Sequence, residues 1–226
     1  MTSVRFTAED HARITAAVAA AEQATDGEIV TIVTERSDAY HDVGLHYAVA
    51  AMLLVAGISA SFPALFEWKL ALFTGGWNDA TPLAPALFLL LVGQALIFLI
   101  VRYGLEYMPL RMALTPPGTK TRRVRRRAIQ FFKASAEKRT AAREGVLLYL
   151  SLAEHRAEIV ADEAIHIKVT PETWGDAMAA LVEQFRKGDP AAGMVAAVER
   201  IGAVLAEHLP KTEEDRNELP DRLIEL

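Results

Sequence analysis

Two uncharged blocks dominate the hydrophobic pattern of this chain. Residues 43–66 and residues 80–101 contain no Asp, Glu, Lys or Arg. A helix needs about 20 apolar residues, at about 1.5 Å each, to cross roughly 30 Å of hydrocarbon. Each block therefore predicts a membrane-spanning helix. The link between them, residues 67–79, is short, so the spans form an antiparallel hairpin. Pro63, Pro82 and Pro85 lie near the span ends, where proline disturbs a helix least. Trp68, Trp77, Tyr47, Tyr103 and Tyr107 flank the spans as interfacial anchors do.

The patterns on either side are those of an α/β domain. Thr7 with Asp10 forms a capping-box signature, followed by Ile14, Val18 and Ala21 at helical spacing. Thr25-Asp26-Gly27 is a stop, and the β-branched run 28–34 predicts a strand. After the hairpin, Thr115-Pro116-Pro117-Gly118 breaks the chain. Residues 121 to about 139 then predict an amphipathic helix with Val124, Ala128, Phe131 and Ser135 on one face. Residues 145–152 and 156–160 predict a strand hairpin turning at Ala153-Glu154-His155, and 166–169 a short third strand. Trp174, Met178, Leu181, Val182 and Phe185 mark one helix. Met194, Val198, Ile201 and Leu205 mark the last, beyond the break at Gly188-Asp189-Pro190. The expected fold class is α/β, with strands covered by helices and split by the inserted two-helix hairpin. Its parts are residues 6–42, the hairpin 43–107, residues 119–210 and a charged tail, 211–226.

Charge gives this arrangement a direction. The chain has a formal net charge of −5, yet residues 102–143 hold twelve Lys and Arg against only Glu106 and Glu137. The positive-inside rule puts that side in the cytoplasm and the link 67–79 outside. The expectation is a two-pass protein of the cell (inner) membrane with both termini cytoplasmic. Residues 1–26 lack a basic stretch followed by an apolar core, so no cleavable signal peptide is expected. The chain has no cysteine, which excludes disulfides, thiolate nucleophiles and Cys-ligated metal centres.

The string Thr25-Asp26-Gly27-Glu28-Ile29-Val30 resembles the opening of the TPM domain. That family is named for a thylakoid lumen phosphatase-like protein, a photosystem II repair protein and an acetylcholine-receptor auxiliary. Gly145-Val146-Leu147-Leu148-Tyr149-Leu150-Ser151-Leu152, followed by Arg156-Ala157-Glu158-Ile159, looks like its central hairpin. Phe185 with Gly188, Asp189 and Gly193 resembles its closing helices. The resemblance covers roughly residues 6–42 and 124–210. It implies an α/β/α sandwich and, for some members, acid phosphatase activity, calcium binding, or help in assembling and repairing membrane complexes. Where relatives have a Gly-rich turn after the second hairpin strand, this chain reads Ala161-Asp162-Glu163-Ala164-Ile165.

Four acids are candidate ligands for Ca²⁺ or Mg²⁺. Asp162 and Glu163 end a predicted strand, and Asp38 and Asp42 follow the first one. Sites in open α/β sheets gather beyond the carboxyl ends of strands. A calcium site takes six to eight oxygens, more than any adjacent pair supplies. The scattered His41, His46, His155 and His166 have no metal-ligand spacing, and no P-loop, nucleophile elbow or dinucleotide fingerprint is present. No catalytic set and no certain cofactor can be named. Arg122, Arg123, Arg125, Arg126 and Arg127 form a membrane-surface cluster shortly after the second span. An acidic domain without an aromatic platform is not a nucleic-acid binder, so the expected partners are the lipid bilayer and other membrane proteins. The expected function is a non-enzymatic interaction, assembly or quality-control factor for membrane complexes. The alternative is a divalent-metal-dependent, acid phosphatase-like hydrolase.

Overall fold

The structure, a computed structural model, describes residues 6–74, 83–135, 144–212 and 221–226. The chain divides into two units, one of Met1–Asp38 with Pro117–Leu226 and one of Ala39–Pro116. The first unit is thus interrupted in sequence by the second.

In the interrupted unit, α1 (Ala8–Glu22) starts on the expected capping box. The Thr7 hydroxyl accepts the Asp10 N–H at 3.2 Å, and the Asp10 carboxylate accepts the Thr7 N–H at 2.9 Å. That backbone N–H holds the Asp10 carboxyl below the usual carboxylate range. β1 (Glu28–Thr34) and β2 (Gly145–Ser151) are buried along their whole lengths. They pair in parallel, from Glu28 opposite Gly145 to Thr34 opposite Ser151. β3 (Arg156–Ala161) returns antiparallel to β2, and β4 (Ile224–Glu225) adds in parallel to β1 at Ile32 and Val33. Among the described residues the sheet order is β3-β2-β1-β4.

Alternation along the strands builds two apolar layers. Ile29 and Val33 of β1 and Val146, Leu148 and Leu150 of β2 meet α1, α8 (Gly175–Arg186) and α9 (Pro190–His208). Val30, Ile32, Leu147 and Tyr149 face the other way, onto Val124, Ala128 and Phe132 of α6 (Pro117–Ser135). The result is the expected α/β/α sandwich. α1 and α9 approach so closely that a Cβ on Gly202 would stand 2.6 Å from Ala21 Cβ. On the other side of α9, a Cβ on Gly193 would stand 2.9 Å from the Leu181 carbonyl oxygen of α8.

Several sequence expectations are corrected here. The segment expected as a third strand is a helix, α7 (Glu163–Lys168), with Ile165 packed into the core. α6 begins at Pro117 because a proline at the first helical position gives up no hydrogen bond. Its buried stripe ends on Phe132, and Phe131 is partly buried against it. The charged tail contributes β4 to the sheet; its residues 213–220 lie outside the described residues.

The inserted unit contains α2 (His41–Ser61), α3 (Pro63–Thr74), α4 (Leu83–Gly104) and α5 (Met108–Leu114). α2 and α4 are long and apolar enough to cross a membrane, and almost none of their apolar length is buried. A soluble core helix would be mostly buried; these expose Leu53, Leu54, Leu87, Phe88 and Leu91. The apolar run 43–66 is not one helix. Pro63 restricts the residue before it, and Phe62 leaves the helical region at φ −127°, ψ 71°. Residues 75–79 of the link between the blocks, with the anchor Trp77, lie outside the described residues. At the base of this unit Arg111 is almost wholly buried. Its guanidinium donates to the Leu105 carbonyl at 2.6 Å and the Ala39 carbonyl at 2.7 Å, so α5 is tied to both ends of the hairpin.

Candidate functional site at the carboxyl end of the sheet

β1 and β2 run parallel, so the segments leaving them emerge at the same end of the sheet. Ser37, just after β1, and Ser151, the last residue of β2, meet there with Tyr149 and Glu154. The Ser37 hydroxyl lies 2.9 Å from the Tyr149 hydroxyl and donates to Ser151 Oγ at 2.8 Å. Ser151 donates to Glu154 Oε2 at 2.5 Å, and the Ser37 N–H donates to Glu154 Oε1 at 3.0 Å. Glu154 is buried, and two donors satisfy its carboxylate. Burial pushes the Tyr149 hydroxyl above its ordinary pKa, against the opposing effect of its Ser37 hydrogen bond.

Next to this network stands a charged pair. Arg123 of α6 donates to Asp38 Oδ2 at 2.9 Å, and Arg126 approaches the same oxygen at 3.6 Å. One turn on, the Arg127 guanidinium stacks over the Phe131 ring at 4.6 Å, and that ring packs against Tyr149 at 5.8 Å. On the edge strand, burial raises the Glu158 carboxyl pKa, with Arg125 and Arg156 opposing the shift. Arg122, Arg125, Arg126 and Arg127 are exposed, opposite the α6 stripe that covers the sheet. Chemically, this end offers hydroxyls, two engaged carboxylates and a cationic face.

The four candidate metal acids do not form one group. Asp38 is held by Arg123 at the carboxyl end of β1. Asp162 follows β3, whose antiparallel course brings it back to the amino end of β2, where its carboxylate accepts the Gly145 N–H at 3.0 Å. The two ends are separated by the length of β2, roughly 20 Å at about 3.3 Å per residue. Glu163 is exposed in the first turn of α7, and Asp42 lies in the first turn of α2, in the other unit. Among the described residues no group of three or more His, Asp or Glu is placed to hold a metal ion. Sequence reading missed Ser37, Tyr149, Ser151 and Glu154. The flanks of a predicted strand hairpin carry no motif, and only the parallel register of β1 and β2 brings them together.

These features define a class: an α/β/α domain, interrupted in sequence by a unit with two membrane-length apolar helices, that presents an arginine-rich helix. The family model of the TPM domain matches residues 110–204 of this chain. The fold is similar to that of BA42 protein from the psychrophilic bacterium Bizionia argentinensis, solved by NMR. The TM-score is 0.57 at 18% identity, over 100% of this chain and 99% of that one. No curated protein matches the chain.

Proposed function

We propose that this chain is a two-pass protein of the cell membrane whose cytoplasmic TPM domain is an interaction platform for assembly or quality control of membrane complexes. The observation that carries the reading is α6. One side of this helix is fixed on the sheet by Val124, Ala128 and Phe132, and the other displays Arg122, Arg125, Arg126 and Arg127. Such a face suits anionic headgroups, at about 1 kcal/mol per basic residue near the surface. It equally suits acidic juxtamembrane segments of other membrane proteins. The position of Asp162 supports a structural role, since its carboxylate is buried and fixes the start of β2.

A second reading, a divalent-metal-dependent phosphatase, draws on the hydroxyl–carboxylate–arginine cluster at the carboxyl end of β1 and β2, where α/β sites gather. One experiment separates the two. The wild type and a variant with Arg122, Arg125, Arg126 and Arg127 changed to Gln are crosslinked in native membranes and isolated in mild detergent. The platform reading expects defined membrane-protein partners with the wild type and their loss, five-fold or more, with the variant. Partners retained equally by the variant would contradict it. So would Ca²⁺- or Mg²⁺-dependent hydrolysis of a phosphate monoester by the purified protein, abolished in Asp38→Asn.

A further inference from the structure

α2, α3 and α4 line a half-open cavity of about 300 Å³. Aliphatic side chains such as Val55, Leu90 and Ile97 form most of its wall, and three polar residues, Ser59, Lys69 and Gln94, interrupt it. Gln94 sits near the middle of α4. Both Nε2 and Oε1 of its amide are buried, and neither has a hydrogen-bond partner among the described residues. In a medium without water such a group costs several kcal/mol, so a spanning helix keeps one only where something satisfies it. Ser59 does not, since its hydroxyl is turned to the Val55 carbonyl at 2.9 Å. Among the described residues Lys69, itself exposed, is the one cationic residue of the wall, and no acid lines the cavity.

Water alone is a poor occupant. A buried water needs two to four polar partners, and the largely aliphatic wall offers only three polar side chains. The fitting ligand has an anionic group for Lys69, an acceptor for Gln94 Nε2, a donor for Gln94 Oε1 and an apolar body for the remaining wall. The helices around the cavity expose Leu87, Phe88 and Leu91, so hydrocarbon chains are what surround it.

We propose that this cavity is a binding site for one glycerophospholipid. The phosphate is placed at Lys69 and an ester carbonyl at Gln94 Nε2. A headgroup hydroxyl or amine reaches Gln94 Oε1, and the first carbons of one acyl chain lie against Val55, Leu90 and Ile97. The proposal rests on the hairpin lying in a bilayer.

The test uses the full chain, extracted in mild detergent, supplied with phosphatidylglycerol and weighed by native mass spectrometry beside Lys69→Gln and Gln94→Leu. Membrane association of all three is measured on the same cells by resistance to alkaline extraction. The site predicts one lipid retained per wild-type chain and at least five-fold lower occupancy in each variant. It also predicts that added lipid raises the melting temperature of the wild type only. A membrane-embedded wild type that retains no lipid, or variants that retain as much as the wild type, overturns the site and leaves the membrane reading standing. A wild type found in the soluble fraction overturns both.

Discussion

At the scale of single residues, the strongest electrostatic tension is at Glu22, the last residue of α1. It is 8% exposed; Oε1 accepts the Ile29 N–H at 2.8 Å, while Oε2 has no partner. Burial pushes this carboxyl up to about 8 from 4.5, outweighing the Ile29 hydrogen bond, and Glu28 and Asp221 add to the rise. A carboxyl whose folded pKa is raised binds its proton more tightly in the native state. Stability therefore falls as pH rises from about 4.5 and levels off above about 8. Glu22→Gln keeps an acceptor for Ile29 and removes the charge. The variant should melt with much less dependence on pH between 5 and 8, and at pH 8 should be more stable by roughly 1–3 kcal/mol. Parallel melting curves for the two proteins across that range would contradict the assignment. None of this was legible in the sequence, where no motif or spacing singles out Glu22. Its burial comes from the turn at Thr25, whose hydroxyl donates to the Leu209 carbonyl at 2.6 Å and brings the end of α9 over it. The same limit applies to Arg111, which reads as one more topology charge and is instead a buried tie between carbonyls.

At the scale of elements, periodicity was read well where one face of an element meets a core. The Thr7–Asp10 box, the strands at 28–34 and 145–151, and the stripe of α9 fall where the sequence predicts them, whereas the predicted stripe of α8 holds only in part: Ala177 and Leu181 are its buried residues and Val182 is exposed. It failed at short segments whose pairing is decided elsewhere. The β-branched residues of α7 resemble a strand, and the two residues of β4 gain their conformation only from the open edge of β1. The close approach of α1 and α9 gives a direct test of packing between segments on opposite sides of the insertion. Gly202→Ala places a Cβ 2.6 Å from that of Ala21 and should cost roughly 1–3 kcal/mol. Adding Ala21→Gly removes the clashing atom and should restore part of that loss, as read by chemical unfolding. Additive effects of the two changes would mean that the helices do not meet there.

At the scale of the whole molecule, an α/β/α domain is interrupted in sequence by a unit with two membrane-length apolar helices. The strands β1 and β2 lie far apart along the chain yet pair in parallel over their full lengths. Hydrophobic blocks made the two membrane-length helices legible, because the bilayer imposes a length rule on sequence directly. The carboxyl-end cluster was not legible, because it exists only through that long-range pairing. The central claim is the placement of the domain on one side of a membrane that the hairpin crosses twice. The absence of cysteine makes it measurable with single-cysteine chains and a membrane-impermeant maleimide. Gly76→Cys lies in the link between the spans, and Ala12→Cys and Glu183→Cys lie on exposed positions of α1 and α8. The account predicts that Gly76→Cys is labelled in intact cells, whereas Ala12→Cys and Glu183→Cys are labelled only after the membrane is opened. Labelling of either domain position in intact cells, or protection of Gly76→Cys there, would contradict it.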